Sequence, residues 1–243
     1  MNLSMEELLE IAQPFCGDFG ARKQVHVRFG LLAATDGRAL IHIERPGVIP
    51  EAASAPEIGE AANILNFKPM KVAGTPEAVV GRETIEDIAK AVIPAWKEAR
   101  VAVLKEQATF DSDWRAAVRH AGCKISFCPH CGGEVVTDDY GDISSVGDWI
   151  DENRPDESSM KGALILKVHG IEAPVTLSFR YIGLALDAAG RLGGADSMSI
   201  VGERQAITLR GADWFIAVMP LRNDAQKETH DDIVYTIKEV ANA

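Results

Sequence analysis

Residues 31–43 read LLAATDGRALIHI, two apolar runs around a polar centre, Thr35-Asp36-Gly37-Arg38. Three readings compete for that centre. Asp36 is a candidate catalytic carboxylate, Gly37 with Arg38 is a candidate phosphate cradle, or the four residues are a turn joining two strands. The flanks favour the turn. Residues 24–34 and 38–44 alternate or run apolar and read as strands. Asp-Gly is the pair a two-residue hairpin needs, because positive φ costs Gly nothing and Asp little. An aspartate that shapes a turn needs no catalytic task.

Ahead of this hairpin, residues 5–12 (MEELLEIA) read as a short amphipathic helix stopped by Pro14 and Gly17. Behind it, residues 46–80 are rich in Pro and Ala and read as irregular. Over 82–105 the positions Ile85, Ile88, Ala89, Val92, Trp96 and Val103 recur at helical spacing, with Pro94 expected to kink or split the helix. Residues 112–122 give another short helix, and the acidic stretch 137–161 reads as a loop or excursion. Two strands follow, 163–169 and 174–180, around Gly170. A helix over 181–192 should turn Ile182, Leu186 and Ala189 inward, and strands follow at 197–201, 205–210 and 213–219. This order of strands around one helix is an α+β module. The remainder, 223–243, is polar and then weakly helical over 232–240.

With 243 residues, 47% of them hydrophobic, the chain can bury one large core or two moderate ones. No apolar run approaches the roughly 18 residues that span a bilayer. The first residues, MNLSMEE, are acidic and lack the basic start of a secretory signal, so a soluble cytoplasmic protein is expected. A net charge of -11 argues against a protein coated in nucleic acid. It leaves room for a local basic surface from Lys90, Lys97, Arg100 and Lys105, then Arg115, Arg119 and Lys124. The plainer reading of those cations is a solvated helix face.

Three of the four cysteines, Cys123, Cys128 and Cys131, fall within nine residues, in RHAGCKISFCPHCGGEVV (119–136). Cys128-Pro129-His130-Cys131-Gly132-Gly133 has the form of a metal knuckle. A Cys-x-x-Cys turn lets two thiolates chelate one ion, and the glycines let backbone N–H groups face the sulfurs. A structural Zn²⁺ needs two further ligands, and His120 and Cys123 are nearest, three apart on one helix face. Cys16 or His130 are substitutes. The rivals are reduced thiols without metal, and thiol-redox chemistry. The latter wants the first cysteine at a helix N-terminus, whereas Gly132-Gly133 and a strand-like Glu134-Val135-Val136 follow here. No Walker loop, Gly-x-Gly-x-x-Gly, Gly-x-Ser-x-Gly or His-Glu-x-x-His motif occurs. Gly190-Arg191-Leu192-Gly193-Gly194 ends a helix, where Gly serves as a cap. The expectation is a protein that is not an enzyme.

Two motifs carry a family resemblance. ATDGRAL (34–40) resembles the ATDGHRL signature in the middle domain of the bacterial sliding clamp, the ring-shaped β subunit of DNA polymerase III. FIAVMPLR (215–222) resembles the VMPMR-type strand that closes the clamp's last domain, and 163–222 follows that domain in order, with Tyr181 near the helix start. The resemblance implies a processivity-clamp-like α+β fold in which both segments line one hydrophobic pocket. In the family that pocket receives short peptides from polymerases, the clamp loader and repair enzymes. Thr35, Gly37 and Leu40 would form one wall, and Ala217, Met219, Pro220 and Leu221 the other, with Asp36 holding the turn.

The chain also departs from the family. Arg38-Ala39 stands where the clamp has His-Arg, and the clamp's first domain has no counterpart. The division read from sequence is a clamp-like module over 1–110, a cysteine-rich insertion over 111–162, a clamp-like module over 163–222 and a tail over 223–243 that is placed to cover the pocket. A six-module ring would need a homotrimer. The resemblance thus implies a clamp-like protein of DNA replication or repair, of phage or mobile-element origin. DNA would run through a lumen lined by helices such as 82–105 and 179–192, facing Lys97, Arg100, Arg115 and Arg119. One alternative is a monomeric clamp mimic acting as adaptor or inhibitor. Another is a zinc-ribbon or thiol-redox protein unrelated to clamps.

Overall fold

The computed structural model describes residues 3–18, 20–51, 58–59, 61–67, 77–202, 205–221 and 231–238. In chain order the elements begin α1 (Met5–Ala12), β1 (His26–Arg28), β2 (Leu31–Thr35), β3 (Ala39–Glu44), α2 (Ala62–Leu65) and β4 (Ala78–Gly81). There follow α3 (Arg82–Ser112), α4 (Trp114–His120), β5 (Lys124–Phe127), β6 (Glu134–Thr137), β7 (Ile143–Ser145) and α5 (Val146–Asn153). The last are β8 (Ala163–Val168), β9 (Val175–Ser178), α6 (Phe179–Arg191), β10 (Ser197–Ile200), β11 (Ile207–Arg210), β12 (Trp214–Val218) and β13 (Ile233–Ile237). The chain is α+β and forms two compact units, Met1–Trp96 with Lys161–Ala243, and Lys97–Met160.

In the first unit an antiparallel seven-stranded sheet runs β1-β2-β3-β12-β11-β10-β4. Its central seam pairs β3 with β12, from Ala39↔Val218 to Trp214↔Ile43. That seam joins strands from 1–110 and 163–222, which read in sequence as separate modules. A three-stranded sheet, β13-β8-β9, completes the unit. Helix α6 packs on β12 and on β8 and β9, and its apolar face (Phe179, Ile182, Ala185, Leu186, Ala189) is buried. That stripe has the 3.6-residue period that a helix between apolar layers requires. Helix α1 docks through Leu8, Ile11 and Ala12. Ser4 and Glu7 close its first turn as a reciprocal capping box.

Local chemistry explains where the sequence expectations move. The strand read over 24–34 is two strands, because Phe29 (φ 51°) and Gly30 (φ 76°) both turn left-handed and Arg28 pairs with Leu31. Two positive φ angles in a row are what a two-residue primed turn demands. Asp36-Gly37 belongs instead to a longer connection, since Thr35 pairs with Leu40. The irregular 46–80 stretch contributes α2 and the edge strand β4. Helix α3 continues unbroken through Pro94 to Ser112. A proline removes one ladder bond, and buried Val92 and Trp96 anchor the helix on both sides of it. The helix expected over 232–240 is a strand, β13, parallel to β8 from Ile233↔Leu164 to Ile237↔Val168. Its run of β-branched and aromatic residues, Ile233-Val234-Tyr235-Thr236-Ile237, alternates half-buried or buried with exposed positions, and this suits a strand better than a helix.

The second unit, Lys97–Met160, has its own small core. Val118, Val136 and Trp149 are buried together, with Phe110, Trp114, Cys123 and Ile125 packed around them. Phe110 stacks on Trp149 with centroids 6.0 Å apart. Strand β7, which pairs with β6, and helix α5 thus occupy much of the 137–161 stretch that its acidity marks as a loop. Ser145 caps α5 by accepting the Asp148 N–H, and one buried Trp anchors the helix to β6.

Candidate functional site

The connection between β2 and β3 is built by short polar bonds. Asp36 Oδ1 accepts the N–H of Arg38 at 2.8 Å and of Ala39 at 2.9 Å, which is an Asx turn. The Thr35 hydroxyl accepts the Gly37 N–H at 2.9 Å and donates to the Ala39 carbonyl at 2.7 Å. Gly37 sits at φ 95°, with the Arg22 guanidinium against it and Arg22 Nη1 donating to the Asp36 carbonyl at 3.3 Å. From α6, Tyr181 brings its hydroxyl to the Asp36 carboxylate. Burial first, and the Asp36 charge second, push the phenol above its ordinary value. The carbonyl and the carboxylate of Asp36 are thus both engaged at the turn.

Next to this turn, β12 ends. The Met219 N–H donates to the Arg38 carbonyl at 2.8 Å, so the exit of β12 is tied to the hairpin. Between them lies a cavity of about 320 Å³ lined by Thr35, Gly37, Leu40, Ala217 and Met219, together with Arg22, Arg38, Asn63, Ile64 and Phe67. Five residues expected for the two pocket walls therefore meet in one cavity, although more than 170 positions separate Leu40 from Ala217. Pro220 and Leu221 do not line it. The Leu221 N–H donates to the Thr176 carbonyl on β9 at 2.8 Å, which draws the chain away. Arg222 and residues 223–230 lie outside the described residues.

The floor contributed by Asn63, Ile64 and Phe67 was not legible as a site, because α2 is a single turn in a proline-rich stretch. The only signal there is apolar clustering in Ile64-Leu65-Asn66-Phe67. Met219 is 44% exposed and Phe67 39% exposed, an unusual outlay of large apolar side chains around one opening. Phe67 also borders a second, more polar cavity of about 670 Å³ with His42, Arg210 and Phe215. His42 stacks on Phe215 at 4.9 Å, and its Nε2–H donates to the Leu65 carbonyl at 3.1 Å. Burial is the main reason its pKa lies below the ordinary histidine value.

The cysteine cluster divides. Cys128 and Cys131 share a tight turn in which the Gly132 N–H donates to the Cys128 carbonyl and the Cys128 N–H to the Gly133 carbonyl, both at 2.8 Å. Gly132 supplies the left-handed φ of 72°. The N–H of Cys131, then that of His130, faces the Cys128 sulfur and holds its thiol below the usual range. Cys123 stands apart. Strand β5 separates it from Cys128, a distance on the order of 15 Å for extended chain, whereas two sulfurs on one Zn²⁺ lie within about 5 Å. Cys123 packs on the Val118–Val136–Trp149 core instead, and His120 is exposed at the end of α4. Cys16 is in the other unit, where burial pushes its thiol up to about 11. Among the described residues no three His, Cys, Asp or Glu side chains are grouped to hold a metal. The expected set His120, Cys123, Cys128, Cys131 is not assembled within one chain.

The cations expected to face DNA are also accounted for. Arg100 pairs with Glu157 at 2.7 Å and Arg115 with Glu134 at 2.8 Å, and Arg115 also lies over Trp114 at 4.7 Å. Lys97 and Arg119 are exposed on α3 and α4. No helix of the described residues is long and apolar enough to cross a membrane.

No family model matches the chain, and no curated protein matches it. Among solved structures it is similar to the DNA polymerase sliding clamp from Bacillus subtilis, with 13% identity, a TM-score of 0.38, and coverage of 89% of this chain and 62% of that one. It is similar to the DNA polymerase III subunit beta from Pseudomonas aeruginosa, with 11% identity, a TM-score of 0.36, and coverage of 89% and 65%. It is also similar to the DNA polymerase III beta subunit from Thermotoga maritima, with 13% identity, a TM-score of 0.36, and coverage of 90% and 64%. The chain thus spans less than two thirds of the length of these structures.

Proposed function

We propose that this chain is a non-enzymatic, clamp-like protein of DNA replication or repair that captures short linear peptides of partner proteins in the cavity between the Asp36 turn and the end of β12. One observation carries the reading: the ATDGRAL and FIAVMPLR segments, distant in sequence, line a single cavity. Its chemistry suits a peptide. Leu40, Ile64 and Met219 offer an adaptable apolar wall for aliphatic or aromatic anchors. Arg22 and Arg38 at the rim favour a peptide with acidic or carbonyl-rich flanks. A labelled peptide with paired leucine and phenylalanine anchors should bind with a Kd in the micromolar range in fluorescence anisotropy. Met219→Asp places a charge in the exposed wall without touching the core. It should weaken binding at least tenfold, about 1.4 kcal/mol. Binding unchanged in that variant would remove the cavity as the peptide site.

Within this reading, the adaptor form is favoured over the DNA-encircling ring by the pairing of Arg100 and Arg115 with carboxylates. Ion-paired cations release fewer phosphate counterions and contribute less to non-specific DNA affinity.

A further inference from the structure

The knuckle at Cys128 and Cys131 is half of a metal site. Two thiols sit on one turn, the N–H groups of Cys131 and His130 already face the Cys128 sulfur, and Gly132 takes the left-handed conformation that closes the turn. Zn²⁺ in a closed site takes four ligands in a tetrahedron. Among the described residues this turn supplies two, Cys128 and Cys131. No third ligand joins them among the described residues. Glu134, the nearest carboxylate along the chain, is held by both oxygens on Arg115, at 2.8 and 3.0 Å. Cys123 is committed to the core of its unit at the other end of β5.

We infer that two copies of this chain share one thiophilic divalent cation, Zn²⁺ being the fitting ion, through Cys128 and Cys131 of each. A two-fold axis through the ion turns two thiolates into four without any new residue type. The surroundings permit the approach. Cys131, Pro129, His130 and Gly132 are exposed, and Phe127 beside them is 71% exposed, giving an apolar contact next to the ion. The tip, residues 124–133 (KISFCPHCGG), holds no carboxylate, so two chains of net charge -11 meet where neither carries acidic side chains. The ion offsets two of the four thiolate charges, and the backbone N–H groups that face the Cys128 sulfurs help to hold the remaining negative charge.

The test uses the full chain, prepared with a chelator and a non-thiol reductant and then titrated with ZnCl₂ alone. The expected result is half an equivalent of Zn²⁺ bound per chain and a twofold rise in light-scattering mass over the zinc-free value, both reversed by EDTA. Co²⁺ in place of Zn²⁺ should give the absorption of a tetrahedral four-thiolate site. Cys128→Ser and Cys131→Ser should each abolish the mass change while leaving the melting temperature of the zinc-free chain unchanged, since both side chains lie outside the core. His120→Ala should leave stoichiometry and mass change intact. One equivalent per chain at constant mass, zinc uptake that depends on His120, or uptake that survives in a Cys128→Ser/Cys131→Ser double variant would each overturn the inference.

Discussion

Gly37 shows how much a single residue decides. It lies at φ 95°, and a Cβ there would come 2.5 Å from Arg22 Nη1, so any side chain meets both a backbone penalty and a guanidinium. Left-handed backbone costs a non-glycine residue about 1–2 kcal/mol. Gly37→Ala should therefore lower the urea-unfolding free energy by about that amount. It should also weaken peptide capture, because Arg22 must leave the cavity wall. A variant with wild-type stability and affinity would show that the turn does not shape the cavity. The aspartate beside Gly37 accepts from Arg38 and Ala39 and faces Tyr181, so its carboxylate is engaged in shaping the turn. Asp36 as a turn former was legible from the Asp-Gly pair. Its bond to Tyr181, 145 positions away, was not, because nothing local marks a phenol for a distant carboxylate.

At the scale of elements, close approach rather than propensity fixes the arrangement inside the first unit. Gly183 on α6 faces Trp96 of α3 so tightly that a Cβ would overlap the indole. Adding a methyl to such a contact typically costs 1–3 kcal/mol. Gly183→Ala should thus lower the melting temperature by several degrees, and Trp96→Leu in the same chain should recover part of the loss. Full tolerance of Gly183→Ala would place Trp96 elsewhere. The helical period of 82–105 and 181–192 identified both helices from sequence. It gave no hint that a glycine within one is the seat for a tryptophan of the other. Strand β13 is a similar case: its residues suit a strand, but only the open edge of β8 gives that strand a partner.

For the whole molecule, the adaptor form proposed above, with Arg100 and Arg115 held in ion pairs, predicts a chain that does not thread DNA. Gel filtration with light scattering in the presence of EDTA should give a mass near 26.2 kDa at micromolar concentration. Duplex DNA added at about 150 mM salt should leave the elution position unchanged. A mass three times larger would instead restore the ring of six modules. The two compact units also divide the chemistry. The cavity belongs wholly to Met1–Trp96 with Lys161–Ala243, and the knuckle wholly to Lys97–Met160. Met219→Asp and Cys128→Ser are therefore expected to act independently, one on peptide capture and one on zinc-dependent mass.

The residues alone determined the α+β class, the hairpin around Asp36 and most helices and strands, because periodicity and turn chemistry are local properties of a chain; the pairing of ATDGRAL with FIAVMPLR was implied only by the family resemblance that the two motifs carry. Tertiary structure decided what needs distance. It joined β3 to β12 in one sheet, turned Leu221 away from the cavity toward β9, and supplied Ile64 and Phe67 from a turn without a signature. It also separated Cys123 from Cys128. Spacing in sequence counts residues, but a four-residue strand converts that count into a span that no single ion can bridge.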